Sequence, residues 1–255
     1  MFFRNESFRD FIRFYPVVTI ITIINVVIWL LMYFPNPLRG VIFWGGIGSN
    51  TLIDYGEYWR FITPIFMHSP QGISHILFNS FSLVLFGPAL EQMLGKFKFI
   101  LVYLFTGIVG NVFTYIIGAN DLHLGASGAL YGLLGLFVYM SFFRNDLIDP
   151  VSKQIVTVIT LIGIVMTFLQ PNINVAAHIF GLIAGFALGP IMLTHARPFS
   201  PWRNQRRRVV RDDGLAYDPN RWDKKRFRVS PNVGAIIWWV ILILAVLGFL
   251  GGLVL

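Results

Sequence analysis

The chain has 255 residues, of which 56% are hydrophobic and 16% aromatic but only 13% charged, and it holds no cysteine. Soluble domains carry about a quarter charged residues, so a soluble enzyme or a charge-rich nucleic-acid binder is excluded; the missing thiols exclude a disulfide scaffold, Cys-ligated zinc and a thiol nucleophile. The surplus of 20 Lys and Arg over 12 Asp and Glu then reads as a few unevenly placed charges on a multi-span membrane protein.

Residues 1–15 mix Phe2, Phe3, Phe8 and Phe11 with Arg4, Arg9 and Arg13. That pattern reads either as a segment lying on the membrane or as a frayed basic tail. A spanning helix needs about 20 mostly apolar residues. Seven stretches answer to this: 17–34, 73–94, 97–118, 125–143, 155–169, 175–193 and 233–255. The fifth is short and extends back toward Val151. Helices are the only reading, because an open sheet edge cannot sit in lipid. The first stretch is too long for a signal-peptide core and has no cleavage site before Pro35, so it is expected to be retained.

Between the first two spans, residues 35–72 carry the apolar run 41–44 and the pair Tyr58-Trp59. A structureless loop of that length is unusual, which suggests a lid or a membrane-embedded hairpin. With the N-terminus in the cytoplasm, all of the 20 cations except Arg39 and Arg60 fall on the inner side. The positive-inside rule then puts the N-terminus in and the C-terminus out. Residues 196–231 form the one sizeable soluble connection. Their basic runs at 206–208 and 224–226 suit anionic lipid, although topology control alone explains them. The expected organisation is an interfacial segment (1–16), a six-span core (17–194), a basic cytoplasmic loop (195–232) and a seventh helix (233–255). No repeat and no pair of inverted halves is apparent.

Polar side chains inside spans are functional candidates. Spans two, four and six enter from the same side, and each carries one early: His75 and Asn79, then Ser127, then His178. At about 1.5 Å rise per residue these groups share one depth, within roughly 10 Å of the helix ends. His75, Asn79 and Ser82 share a stripe at spacings of four and three. His178, Gly181, Gly185 and Gly189 line one face of span six, and Gly128, Gly132 and Gly135 offer a matching small surface on span four. Close packing of those faces brings Ser127 toward His178, with Tyr131 flanking the spot.

A serine hydroxyl becomes a nucleophile when a base accepts its proton, and a neutral imidazole suits that task near pH 7. A tetrahedral intermediate needs hydrogen-bond donors; Asn79, His75 and the Ser127 N–H are the candidates. No acidic residue lies in spans four or six, so a Ser–His dyad is expected, with Asp121 a weak third member. The inner halves of the spans carry little beyond Ser82, Ser141 and Thr167, which argues against a transport path.

These residues resemble the rhomboid intramembrane serine proteases. The matching motifs are Trp59-Arg60, His75-Ile-Leu-Phe-Asn79, Gly125-Ala-Ser127-Gly128 and His178-Ile-Phe-Gly181-Leu-Ile-Ala-Gly185, in the family's order and spacing. The resemblance implies an all-α membrane protein, a rhomboid-like six-helix bundle plus one extra C-terminal transmembrane helix. It implies Ser127 as nucleophile, His178 as general base and His75 and Asn79 as oxyanion donors. Tyr131 would stack on His178, Glu91 would be structural, and Trp59-Arg60 would belong to a structural membrane-embedded loop. Neither metal nor cofactor is implied. The expected partners are single-span or other transmembrane substrates and membrane lipid, not nucleic acid, in a cell membrane; the oligomeric state stays open. The alternative is a catalytically silent binding or quality-control protein of the same fold, which usually lacks the serine or the histidine.

Overall fold

The computed structural model describes residues 1–2, 6–118 and 122–201. One compact unit runs from Met1 to Ser200. Apart from Pro201, the unit Pro201–Leu255 lies outside the described residues. The expected seventh helix and most of the basic loop fall there, as does Asp121 in the earlier gap.

The first unit is an all-α membrane bundle. Helix α1 (Phe8–Phe14) leads into α2 (Pro16–Tyr33), which starts at a proline with no N–H to leave unpaired. Then come α3 (Arg39–Gly46), α4 (Asn50–Asp54), α5 (Ile73–Leu94), α6 (Lys96–Ile117), α7 (Ser127–Phe143), α8 (Pro150–Leu169) and α9 (Val175–Met192). Five of these, α2, α5, α6, α8 and α9, are long and apolar enough to cross a membrane; α7 is shorter at 17 residues.

Burial separates the helices. In α7, 11 of 17 residues are buried, so it is sheathed by its neighbours rather than by lipid. In α8, the buried residues are Ser152, Val156, Thr160 and Thr167, a single inward stripe rich in hydroxyls. That helix begins at Pro150, ahead of the apolar stretch at 155 and next to the Val151 toward which the short fifth span was expected to extend. Lys153 and Gln154 interrupt the apolar run, yet Asp149 accepts from Ser152 N at 2.9 Å and Pro150 occupies the first turn, which together make a helix start.

The joint between α7 and α9 is a glycine seam. A Cβ on Gly128 would lie 3.3 Å from the Ala177 carbonyl oxygen, and side chains on Gly181 and Gly185 would fall on the carbonyls of Gly128 and Gly132. Only hydrogen at these positions allows the two backbones to meet. Helix α6 presses on the same turn, since a Cβ on Gly110 would lie 2.8 Å from Ala177 O.

The segment between α2 and α5 is built, not structureless. It contains α3, a two-residue strand β1 (Gly48–Ser49), α4 and two 3-10 turns (Tyr58–Phe61 and Thr63–Phe66). β1 pairs antiparallel with β2 (Leu122–His123), Gly48 facing His123. Arg60 is buried and holds the turn together: Nη1 donates to Ile47 O, Nη2 to Trp44 O at 2.8 Å and Nε to Glu57 Oε2 at 2.7 Å. Trp59 Nε1 donates to Gly45 O at 3.2 Å. Both side chains thus close the C-terminal carbonyls of α3.

At the opposite end of the bundle, Glu91 accepts from Val17 N at 3.1 Å and Val18 N at 2.9 Å. A carboxylate on otherwise unpaired N–H groups is a favourable cap for α2. Phe2 is buried edge-on against Phe86 and Phe137, with centroids at 5.2 and 5.5 Å. Phe2 is therefore packed into the core.

Candidate active site

Four helix ends converge. Ser127 is the first residue of α7, His178 the fourth of α9 and His75 the third of α5, while Thr167 is third from the C-terminal end of α8. Helices α5, α7 and α9 begin at this end of the bundle and α8 finishes there.

The approach to Ser127 is set by Gly125. Its φ of +135° suits glycine, and its N–H donates to Pro64 O at 2.9 Å. A Cβ here would lie 2.8 Å from His75 Nε2 and 3.6 Å from Ser127 Oγ. One missing side chain therefore leaves room for the imidazole beside the hydroxyl. Helix α7 consequently starts two residues after the expected 125. As the first helical residue, Ser127 has no carbonyl within α7 for its N–H, which leaves that donor for another acceptor.

His178 is buried and fully engaged on one side. Its Nδ1 lies 2.8 Å from Thr167 Oγ1, and its ring stacks on Tyr131 with centroids 4.1 Å apart and planes 14° from parallel. Tyr131 OH lies 2.9 Å from the same Thr167 oxygen. Gly163, one turn before Thr167, makes this reach feasible: a Cβ there would be 2.8 Å from the Tyr131 hydroxyl. The α9 start is pinned by Asn174, whose Oδ1 accepts from Ala177 N and from Thr114 Oγ1, both at 3.0 Å. No hydrogen bond joins Ser127 Oγ to His178 among the described residues. The two sit on adjoining turns of the glycine seam, and catalytic hydrogen bonds often tighten only when substrate is bound.

His75 and Asn79 share the opposite wall. The Ser69 N–H donates to His75 Nδ1 at 3.3 Å. An N–H donor there leaves the proton of a neutral ring on Nε2, the atom facing Gly125. Ser69 is itself held by Trp29, whose Nε1 donates to Ser69 O at 3.0 Å. Asn79 is buried and its Nδ2 donates to His75 O at 2.8 Å, one turn back in its own helix. An amide nitrogen carries two hydrogens, so one donor remains.

Two neighbours were not legible as site residues. Thr167 was expected among inner-half polar groups; it lies at the Ser127 end of the bundle, against His178. Its signal was its position two residues before the end of the fifth span. His68, in the loop before α5, is fully buried with its ring 5.1 Å from that of His75. Burial first, and His75 beside it second, lower its pKa from 6.5 to about 3. No cluster of three or more metal-ligating side chains occurs among the described residues.

Residues 55–195 match the Rhomboid domain family. YdcA of Bacillus subtilis (strain 168), whose name as a rhomboid protease is provisional, is 46% identical over 191 residues, covering 74% of this chain and 94% of that protein. The rhomboid protease GluP of the same strain is 37% identical over 141 residues, 55% of this chain and 27% of GluP. RHOMBOID-like protein 4 of Arabidopsis thaliana is 30% identical over 228 residues, 86% of this chain and 52% of that protein. The match thus spans nearly all of the first relative but only about a quarter and a half of the other two.

Proposed function

The chain belongs to the rhomboid family, and on that premise we propose that it is a serine endopeptidase of transmembrane helices with a Ser127–His178 dyad. Membership and the relatives named as rhomboid proteases support intramembrane protease activity. The observation that carries the finer reading is the held imidazole of His178, one glycine-lined turn from a serine at a helix start.

His178 Nε2 takes the Ser127 proton as Oγ attacks the scissile carbonyl, then returns it to the leaving amine. The oxyanion is met by the Ser127 N–H, His75 Nε2–H and the second Asn79 hydrogen. Water then attacks the acyl-enzyme with His178 again as base. Gly125, Gly128, Gly181 and Gly185 support this arrangement by letting backbones and the His75 ring approach. Trp59, Arg60 and Glu91 act on the scaffold. The reaction requires no cofactor.

The cut lies within or just outside the outer leaflet of a cell membrane, with the N-terminus cytoplasmic and the C-terminus outside. A substrate helix must unwind to expose its backbone, and unpaired backbone groups in lipid are costly. Single-span substrates with helix-breaking residues near the cut are therefore favoured. The test is reconstitution with a labelled single-span substrate and comparison with Ser127→Ala and His178→Ala. Cleavage by the parent alone supports the dyad; equal cleavage by the variants refutes it. Substrate binding without any cleavage by the parent would return the chain to the silent, binding class.

A further inference from the structure

The Thr167 hydroxyl touches three polar groups: Gly163 O at 2.8 Å, Tyr131 OH at 2.9 Å and His178 Nδ1 at 2.8 Å. A hydroxyl has one hydrogen and two lone pairs. Gly163 O is an acceptor only, so that contact consumes the Thr167 proton. The two remaining contacts then need protons from the other side. Tyr131 O–H supplies one and His178 Nδ1–H the other. Any different assignment leaves two lone pairs facing each other at about 2.8 Å in a buried site, where unpaired polar groups are costly.

We propose that Thr167 is a positioning residue that fixes His178 as the Nδ1–H tautomer and so leaves the Nε2 lone pair for the Ser127 proton. This rests on the dyad reading above. It puts a neutral hydroxyl where other serine hydrolases use a carboxylate to orient the base. Tyr131 has two parts here: its ring stacks on the imidazole, and its hydroxyl fills the second lone pair of Thr167. When His178 accepts the Ser127 proton, Nδ1–H stays on Thr167 and both ring nitrogens are protonated; when the proton passes to the leaving amine, the starting tautomer returns. No proton moves through Thr167.

Thr167 is buried and close in shape to valine, so Thr167→Val removes the acceptor with little change in volume. The first measurement reads the parent itself: nitrogen NMR of the 15N-histidine-labelled protein in detergent, with His178 assigned by the signal lost in His178→Gln. The expected result is a protonated Nδ1 and an unprotonated Nε2 for neutral His178. The second is kinetics on a reconstituted transmembrane substrate. Positioned proton transfer contributes roughly 10²–10⁴-fold, so Thr167→Val is expected to lose on the order of 10- to 100-fold in kcat with KM little changed. Thr167→Ser should restore most of the loss, and the valine variant should show a mixed tautomer.

A proton on Nε2 in the parent overturns the proposal, as does parental kcat in Thr167→Val. If the valine variant does not fold, the parent spectrum still decides. Undiminished cleavage by Ser127→Ala or His178→Ala would instead sink the dyad reading, and the tautomer would remain readable on its own.

Discussion

The two walls of the site are held very differently. On the His178 side, ring face, Nδ1, helix start and backbone seam are each fixed by a separate short contact to Tyr131, Thr167, Asn174 and Gly128. On the His75 side, the ring accepts one longer bond from a loop N–H, and Asn79 turns back on its own helix. The proposed base, His178, is held by helices that pack along their length. The proposed side-chain donors, His75 and Asn79, hang from the first two turns of α5. A group that moves a proton needs a fixed tautomer and position. A donor to a developing oxyanion gains most when the charge appears, and it tolerates a looser resting state.

This contrast can be broken in order of expected effect. His178→Ala removes the proposed proton acceptor and should cut turnover by on the order of 10⁴-fold or more, read in reconstituted cleavage, with thermal unfolding near that of the parent. Gly185→Val forces a side chain onto the Gly132 carbonyl. Overpacking costs about 1–3 kcal/mol, sometimes more, so its melting temperature in detergent should fall and activity should fall with it. Asn79→Ala should slow turnover by on the order of 10²-fold or less, since the Ser127 N–H and His75 remain. A larger loss for Asn79→Ala than for His178→Ala would reverse the proposed division of labour.

The smallest effect concerns pH. His68 is held neutral down to about pH 3, while in the unfolded chain it titrates near 6.5. Between those values the unfolded state binds the extra proton, so stability declines as pH falls through that window. Melting temperatures measured from pH 7 to pH 4.5 should decline, and His68→Gln should make the decline shallower. An unchanged slope would show that His68 titrates normally in the fold.

Much of the bundle was legible because lipid permits so few solutions. Long apolar runs must be helices, and polar groups such as His75 and His178 stand out against them. The glycines at 128, 132, 181 and 185 announced a close joint through their spacing alone. Thr167 did not stand out, because a threonine in a membrane helix ordinarily bonds its own backbone. It does so here as well, at Gly163, and only the packing of α8 on α7 and α9 reveals its other two partners, Tyr131 and His178. His68 and Ser69 were hidden for another reason. Their place comes from long-range contacts of the α2–α5 segment, and no periodicity predicts those. The early start of α8 was legible in the shortness of the apolar run, which pointed back toward Val151, and Asp149-Pro150 is the helix start that accounts for it.

The central claim is that Ser127 is a nucleophile made reactive by His178. A fluorophosphonate probe reports both halves of that claim at once. With the protein in detergent or proteoliposomes, labelling followed by peptide mass spectrometry should locate a single adduct on Ser127, abolished in Ser127→Ala and strongly slowed in His178→Ala. An adduct on another residue, or labelling of His178→Ala at the parental rate, would contradict it.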